Sequence, residues 1–254
     1  MVITVAQEKG GVGKTATAQS VAAVAADRGS RVLAVDADPQ FALTRQLGLR
    51  VGELPVTLVD VLAGRVDAAA AIVTDVFGVD VLPAARELRA VELSLAGEVA
   101  RETFLRTALE PVLDRYDLVV IDTPPNLGLL TVNALVPADL VLAPVSAEDE
   151  GAAQGTAELR ATLGKVARLR GGSEPPLAVV MTKWRIDRVM ASVVEEAVLG
   201  LGLRLAGRIP AQVLVQQAAA NRMPVTVAAP ESLAASAYRE LTEQLLTEAG
   251  TVPA

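Results

Sequence analysis

The stretch Val2-Ile3-Thr4-Val5-Ala6 runs without a break into Gln7-Glu8-Lys9-Gly10-Gly11-Val12-Gly13-Lys14-Thr15, and then into the alanine-rich Ala16-Thr17-Ala18. A short β-branched run, a glycine-rich turn and a helix-forming segment, in that order, read as strand, loop and helix. Such a loop can turn its backbone amides inward at the positive end of the new helix and close on phosphate oxygens. Lys14 is placed to neutralise the outer phosphates, and the Thr15 hydroxyl to bind Mg²⁺. Gly10, Gly11, Val12, Gly13, Lys14, Thr15 and Ala16 are therefore the expected nucleotide-binding residues. The common pattern has Gly where this chain has Glu8, and the additional Lys9 marks the deviant form of the Walker A loop.

Two acidic strand ends belong with this loop. The apolar run 32–35 ends in Asp36-Ala37-Asp38-Pro39-Gln40, and carboxylates two apart in an extended chain point the same way. Beside the phosphate loop they can reach a metal and a water attacking the γ-phosphate. The run 118–121 closes on Asp122-Thr123-Pro124-Pro125, the pattern of a Walker B strand. Asp122 would hold Mg²⁺ through water, since that ion keeps much of its hydration shell.

Further strands are expected at 2–6, 31–36, 78–83, 118–122, 140–144, 177–182 and 205–209, most without polar alternation, as when both faces are buried. Helical patterns cover 15–27, 98–115, 155–170 and 189–199, and a small alanine run at 68–71 adds another. This alternation predicts an α/β fold: a single doubly wound, mostly parallel sheet flanked by helices, one domain over 1–254. Residues 171–176 (GGSEPP) read as a connector between helix and strand. Ligands in that architecture bind beyond the carboxyl ends of the strands, where the three motifs fall.

Composition narrows the chemistry. Of 254 residues 52% are apolar but only 2% aromatic, so Ala, Val and Leu must build the core. The chain has no Cys and no His, which excludes disulfides, Fe–S clusters and thiolate-bound zinc and removes the commonest general base. Asp, Glu, Lys, Arg, Ser, Thr and backbone amides must do the work. Mean hydropathy is +0.41, yet no run approaches the roughly 18 apolar residues of a spanning helix. Residues 1–6 enter the glycine loop without the charged start and long apolar region of a signal peptide, so a soluble, cytoplasmic chain is expected. Net charge is −7, but 151–222 holds ten Lys/Arg against five Asp/Glu, leaving that segment at +5 and the remainder at −12. Such asymmetry permits a local basic face on an acidic protein.

Lys9–Thr15 (KGGVGKT), Asp36–Gln40 (DADPQ), Asp122–Pro125 (DTPP) and the LLTVNAL run at 129–135 together resemble the ParA family of partition ATPases, in the family's order. The resemblance implies an ATP-dependent homodimer that sandwiches two nucleotides, with Mg²⁺ and ATP as cofactors. It implies that Lys9 reaches across to the partner's nucleotide while Lys14 and Thr15 grip phosphates and Mg²⁺ in cis. Asp38 would orient the hydrolytic water, and Asp36 and Asp122 would support the metal. Lys9, Lys14 and Asp38 are thus the implied catalytic set, acting by position and charge. Thr182 and Pro210 stand where family members contact the base.

The family further implies non-specific DNA binding, for which Lys183, Arg185, Arg188, Arg204, Arg208 and Arg222 are the candidates. It also implies a ParB-like activator or adaptor; such partners commonly present a basic segment, which the acidic remainder of this chain suits. DNA binding would make the chain nucleoid-associated. Two departures touch these contacts. After Ile209-Pro210 the family often continues with Arg-Asn, whereas Ala211-Gln212-Val213-Leu214 follow here, and Asp149-Glu150 replace an aromatic pair after Glu148. A membrane-bound relative would carry a basic amphipathic tail, but 232–248 has Arg239 against Glu240, Glu243 and Glu248, and the chain ends TVPA, which argues against a membrane anchor. Metabolic amidating ATPases of the same fold are the other alternative.

Overall fold

The computed structural model describes residues 1–248; the closing TVPA of the tail argument lies outside the described residues. Eight strands form one sheet: β1 (Val2–Val5), β2 (Val32–Asp36), β3 (Val73–Val76), β4 (Val79–Leu82), β5 (Leu118–Asp122), β6 (Leu140–Ser146), β7 (Leu177–Trp184) and β8 (Arg204–Pro210). Their order is β3-β4-β2-β5-β1-β6-β7-β8, and every pairing is parallel except that of β3 with β4. The expected doubly wound, mostly parallel sheet is what forms.

The central strands β2, β5 and β6 read as nearly unbroken apolar runs because helices cover both sheet faces. In β2, Val32 and Ala34 join one core cluster while Leu33 and Val35 join another. In β6, Leu140 and Leu142 face the first cluster, and Val141, Ala143 and Val145 face a third. Helix Lys14–Asp27 is buried on nearly all sides, between the sheet and helix Leu233–Glu248. Its Ala, Ser and Thr side chains make that possible: they are small enough to let both neighbours approach, and the alanines carry the helix propensity.

Two expectations need correction. β3 was not anticipated. It is a half-exposed antiparallel edge strand, joined to β4 by the tight turn Phe77-Gly78, with Phe77 at φ 54° and Gly78 at φ 76°. That turn needs positive φ at both central residues, which Asn-Gly announces and Phe-Gly does not. The single helix expected over 98–115 is instead a 3₁₀ turn Arg101–Thr103, a short helix Phe104–Leu109 and a 3₁₀ stretch Glu110–Arg115. Pro111 lacks the N–H that a continuing α-helical ladder would use.

Topology then places the site. β1, β5 and β2 are neighbours, with Val5 in register with Asp122 and Asp122 in register with Asp36. The carboxyl ends of three central strands therefore deliver the glycine loop and two acids to one point.

Candidate active site

The loop between β1 and helix Lys14–Asp27 turns back on itself at Gly11 (φ 73°) and Gly13 (φ 92°), left-handed conformations that glycine adopts without a Cβ penalty. Gly13 is the cap of the helix, so the loop's amides and the helix N-terminus face the same space. Lys14 is only 7% exposed and folds back to donate to the Lys9 carbonyl at 3.0 Å. Burial pushes its pKa down, while the charges of Asp122 and Asp38 pull it up.

Asp122 lies fully buried at the end of β5. Its Oδ2 accepts from the Thr15 hydroxyl at 2.7 Å, whereas Oδ1 is buried with no hydrogen-bond partner among the described residues. Burial, with the neighbouring Asp36 charge adding to it, raises its pKa well above the usual carboxylate range. An orphaned buried carboxylate oxygen on Asp122 beside the Thr15 hydroxyl fits a Mg²⁺ that keeps most of its waters.

Asp36 is differently employed. Its Oδ2 takes both the Thr44 amide and the Thr44 hydroxyl at 2.7 Å, and its Oδ1 takes the Asp38 amide at 3.1 Å. Burial still holds its pKa up at about 6 against those donors. The carboxylate thus pins the segment that carries Asp38, and Thr44 passes the connection on by accepting from the Ala84 amide at 3.0 Å. Thr44→Val leaves Asp36 without that hydroxyl and Ala84 without its acceptor. Stability to urea is expected to fall by roughly 1–3 kcal/mol, as for other buried groups left unpaired. Asp38 is 7% exposed and accepts from the Gln40 amide at 2.8 Å. Desolvation raises its pKa, opposed by that bond and by Lys14 and Arg89.

Beside the loop a cavity of about 250 Å³ is lined by Val12, Gly13, Ala16, Glu148, Thr182 and Pro210, among others. Thr182 sits at its wall, but its hydroxyl is engaged with the Val12 carbonyl at 2.8 Å, so it steadies the loop. Pro210 lines the cavity together with Gln212 and Arg185. Glu148, Gln212 and Gln216 were passed over as lining residues; Glu148 follows the carboxyl end of β6, the edge where this architecture puts its ligands.

The six basic candidates do not make one patch. Lys183 is exposed near the carboxyl end of β7, Arg185 and Arg188 are exposed just past it, and none of the three forms an ion pair among the described residues. Arg208 pairs with Glu195 and lies 5.3 Å from the Trp184 ring. Arg204 pairs with Glu248 at the opposite, amino ends of the parallel strands, sharing a surface hollow with Met1 and Pro176. Arg222, exposed at the end of helix Val213–Ala220, sits beside Gly48. Lys9 is exposed and ion-paired with Asp149.

A family model described as an AAA domain matches residues 1–172. The chromosome partitioning protein ParA of Caulobacter vibrioides is 36% identical over 97% of this chain and 94% of its own. The sporulation initiation inhibitor protein Soj of Bacillus subtilis is 32% identical over 96% of this chain and 97% of its own. Among solved structures, cobyrinic acid a,c-diamide synthase from Mycobacterium smegmatis with bound ADP and magnesium superposes with a TM-score of 0.84 at 32% identity, covering 98% of this chain and 95% of that one.

Proposed function

Because this chain belongs to the ParA family of P-loop partition ATPases, we propose that residues 1–254 work as one Mg²⁺-dependent ATPase domain that partitions DNA by ATP-gated dimerisation. The observation that carries this reading is the convergence of Lys14, Thr15, Asp38 and Asp122 at the ends of β1, β2 and β5, with Lys9 left facing outward.

The amides of Gly10–Ala16 and the Lys14 ammonium take the phosphates, and the base enters the cavity bounded by Pro210 and Gln212. Thr15 and Asp122 hold Mg²⁺, which, when bound, neutralises phosphate charge. Asp36 supports the metal indirectly by fixing the loop beside it. Asp38 orients a water toward the γ-phosphate, and Lys9 of the partner subunit adds charge to the transferred group. Catalysis by position and charge needs no covalent intermediate. Hydrolysis that depends on a lysine from the second subunit depends on dimerisation.

DNA contact is assigned to Lys183, Arg185 and Arg188, doubled in the dimer; Arg204 and Arg208 are already paired within the chain. Phosphate contacts of this kind bind without sequence preference and weaken steeply with salt. A ParB-like activator would dock on the acidic remainder. The chain would then act in the cytoplasm, on the nucleoid; among the described residues no helix is long and apolar enough to cross a membrane. DNA co-sedimentation of the Asp38→Ala variant across a salt series tests this. Binding is expected with ATP, lost as salt rises, and absent with ADP or without nucleotide. No binding even at low salt would overturn the DNA track and turn the reading to a protein cargo or surface.

A second reading is favoured by the 32% identity to the M. smegmatis synthase: an enzyme that activates a small carboxylate for amidation. Against it, the chain has neither Cys nor His to release ammonia from an amide donor by thiol chemistry. Turnover that rises with a small carboxylate, and not with DNA and a protein activator, would select it.

A further inference from the structure

Helix Val189–Gly200 is apolar on both its faces. Ala191, Val194 and Val198 are buried against the core, as the inner face of a surface helix should be. The outer face should then be polar. Instead Val189 is 81% exposed and Val193 53%, and Ala197 and Gly200 continue the same stripe in solvent. Ile186, 91% exposed, extends it beyond the helix N-terminus from a tight turn in which the Arg188 amide donates to the Arg185 carbonyl at 3.2 Å. Single exposed aliphatics are ordinary, but a run of them along one helix marks a contact face. The stripe is laid out symmetrically about Val193: Val189 and Ala197 stand four residues to either side, Ile186 and Gly200 seven. Its N-terminal half is bulky and its C-terminal half small, and a Cβ added at Gly200 would meet open space. The charges follow the same sense. Arg188 flanks the N-terminal half and Glu196 the C-terminal half; both are exposed, and neither forms an ion pair among the described residues.

We propose that this face pairs with the same face of a second copy, the two helices running antiparallel about a two-fold axis at Val193. Ile186 and Val189 of each copy then cover the partner's Gly200 and the partner's Ala197, and Arg188 comes level with the partner's Glu196. One self-complementary stripe serves both sides, as an isologous contact requires. The antiparallel sense also sets Arg188, disfavoured at the N-terminus of its own helix, beside the negative end of the other. An acidic peptide or an anionic membrane would satisfy Arg188 but leave Glu196 facing like charge, so a second copy is the occupant that fits both. The face is small, in the range of transient contacts, and holds only at high protein concentration or where another contact keeps copies close. Dilute chains stay single. The pairing is separate from the nucleotide-gated one, which is built at the carboxyl ends of β1, β2 and β5, and does not depend on it.

The chain has no cysteine, so a single one reports the contact directly, and a residue on a two-fold axis meets its own copy. Val193→Cys is oxidised in concentrated solution with Mg-ADP, and without DNA because Arg188 also serves the proposed DNA contact. Leu93→Cys, 78% exposed on helix Leu88–Leu95, measures random collision. Expected is a disulfide-linked dimer of Val193→Cys forming about tenfold faster or more than that of Leu93→Cys. Adding Ile186→Glu brings the rate down to that of collision. Glu196→Arg slows it, and Arg188→Glu together with Glu196→Arg restores it. Lys9→Ala leaves it unchanged. Crosslinking of Val193→Cys no faster than that of Leu93→Cys overturns the proposal. So does fast crosslinking that needs ATP and is lost with Lys9→Ala, since that would be the nucleotide-gated pair. Fast crosslinking indifferent to both Ile186→Glu and Glu196→Arg overturns it as well.

Discussion

Replacing Lys14 with Ala lowers affinity for Mg-ATP by about two orders of magnitude or more in an equilibrium titration. The size follows from where the ammonium sits. It is 7% exposed and within electrostatic reach of Asp122 and Asp38, with Asp36 beside Asp122. Removing it leaves three acids and no nearby buried cation to receive a polyphosphate, so the pocket turns from attractive to repulsive. It also removes a donor to the Lys9 carbonyl, which loosens the loop at its turn. Thermal unfolding without nucleotide shows whether the variant is folded. A folded Lys14→Ala chain with parental ATP affinity would mean that the glycine loop is not where phosphate binds.

Asp38→Ala has the opposite signature. It retains ATP, while single-turnover hydrolysis falls by about 10²-fold or more, the usual cost of losing an aligned catalytic group. Asp38 sits at the right place for that role: at the end of β2, held from its own loop by Asp36 and Gln40, and within electrostatic reach of Lys14. Truncating it removes no donor to the phosphates. ATP should therefore accumulate on the enzyme, and a state that normally decays by hydrolysis should persist. Hydrolysis at the parental rate would remove Asp38 from the mechanism and leave water activation to another group.

These residues were legible in the sequence because each motif is contiguous and ends a buried strand. Lys14, Thr15, Asp36, Asp38 and Asp122 could be named without knowing the sheet order, since parallel strands of this kind all discharge their loops at one edge. What the sequence withheld is partnership across long separations. Asp149 is 140 residues from Lys9, and nothing local marks it as an ion-pair partner. Thr44 looks like an ordinary residue of a short helix until its amide and hydroxyl are seen on Asp36. The basic residues illustrate the converse. Counting charge over 151–222 permits a common face, but Arg204 begins β8 at the amino ends of the parallel strands while Lys183 and Arg185 stand at the carboxyl ends. Seven strands were legible, most of them through apolar runs without alternation; β3 was not, because an exposed edge strand of Val-Thr-Asp-Val has little to bury.

Arg89 adds a detail that motif reading gives no reason to suspect. It lies on the helix Leu88–Leu95 that follows β4, yet its charge reaches Asp38 and helps offset the cost of burying that carboxylate. The helix that follows β4, the strand beside β2, thus contributes to the electrostatics of Asp38.

The central claim is that ATP, and not ADP, joins two copies of this chain through Lys9. Sedimentation velocity of the Asp38→Ala variant with Mg-ATP and with Mg-ADP measures it most directly, because hydrolysis no longer erases the ATP state. The account predicts a dimer with ATP and a monomer with ADP. A monomer in both, with ATP demonstrably bound, would contradict it.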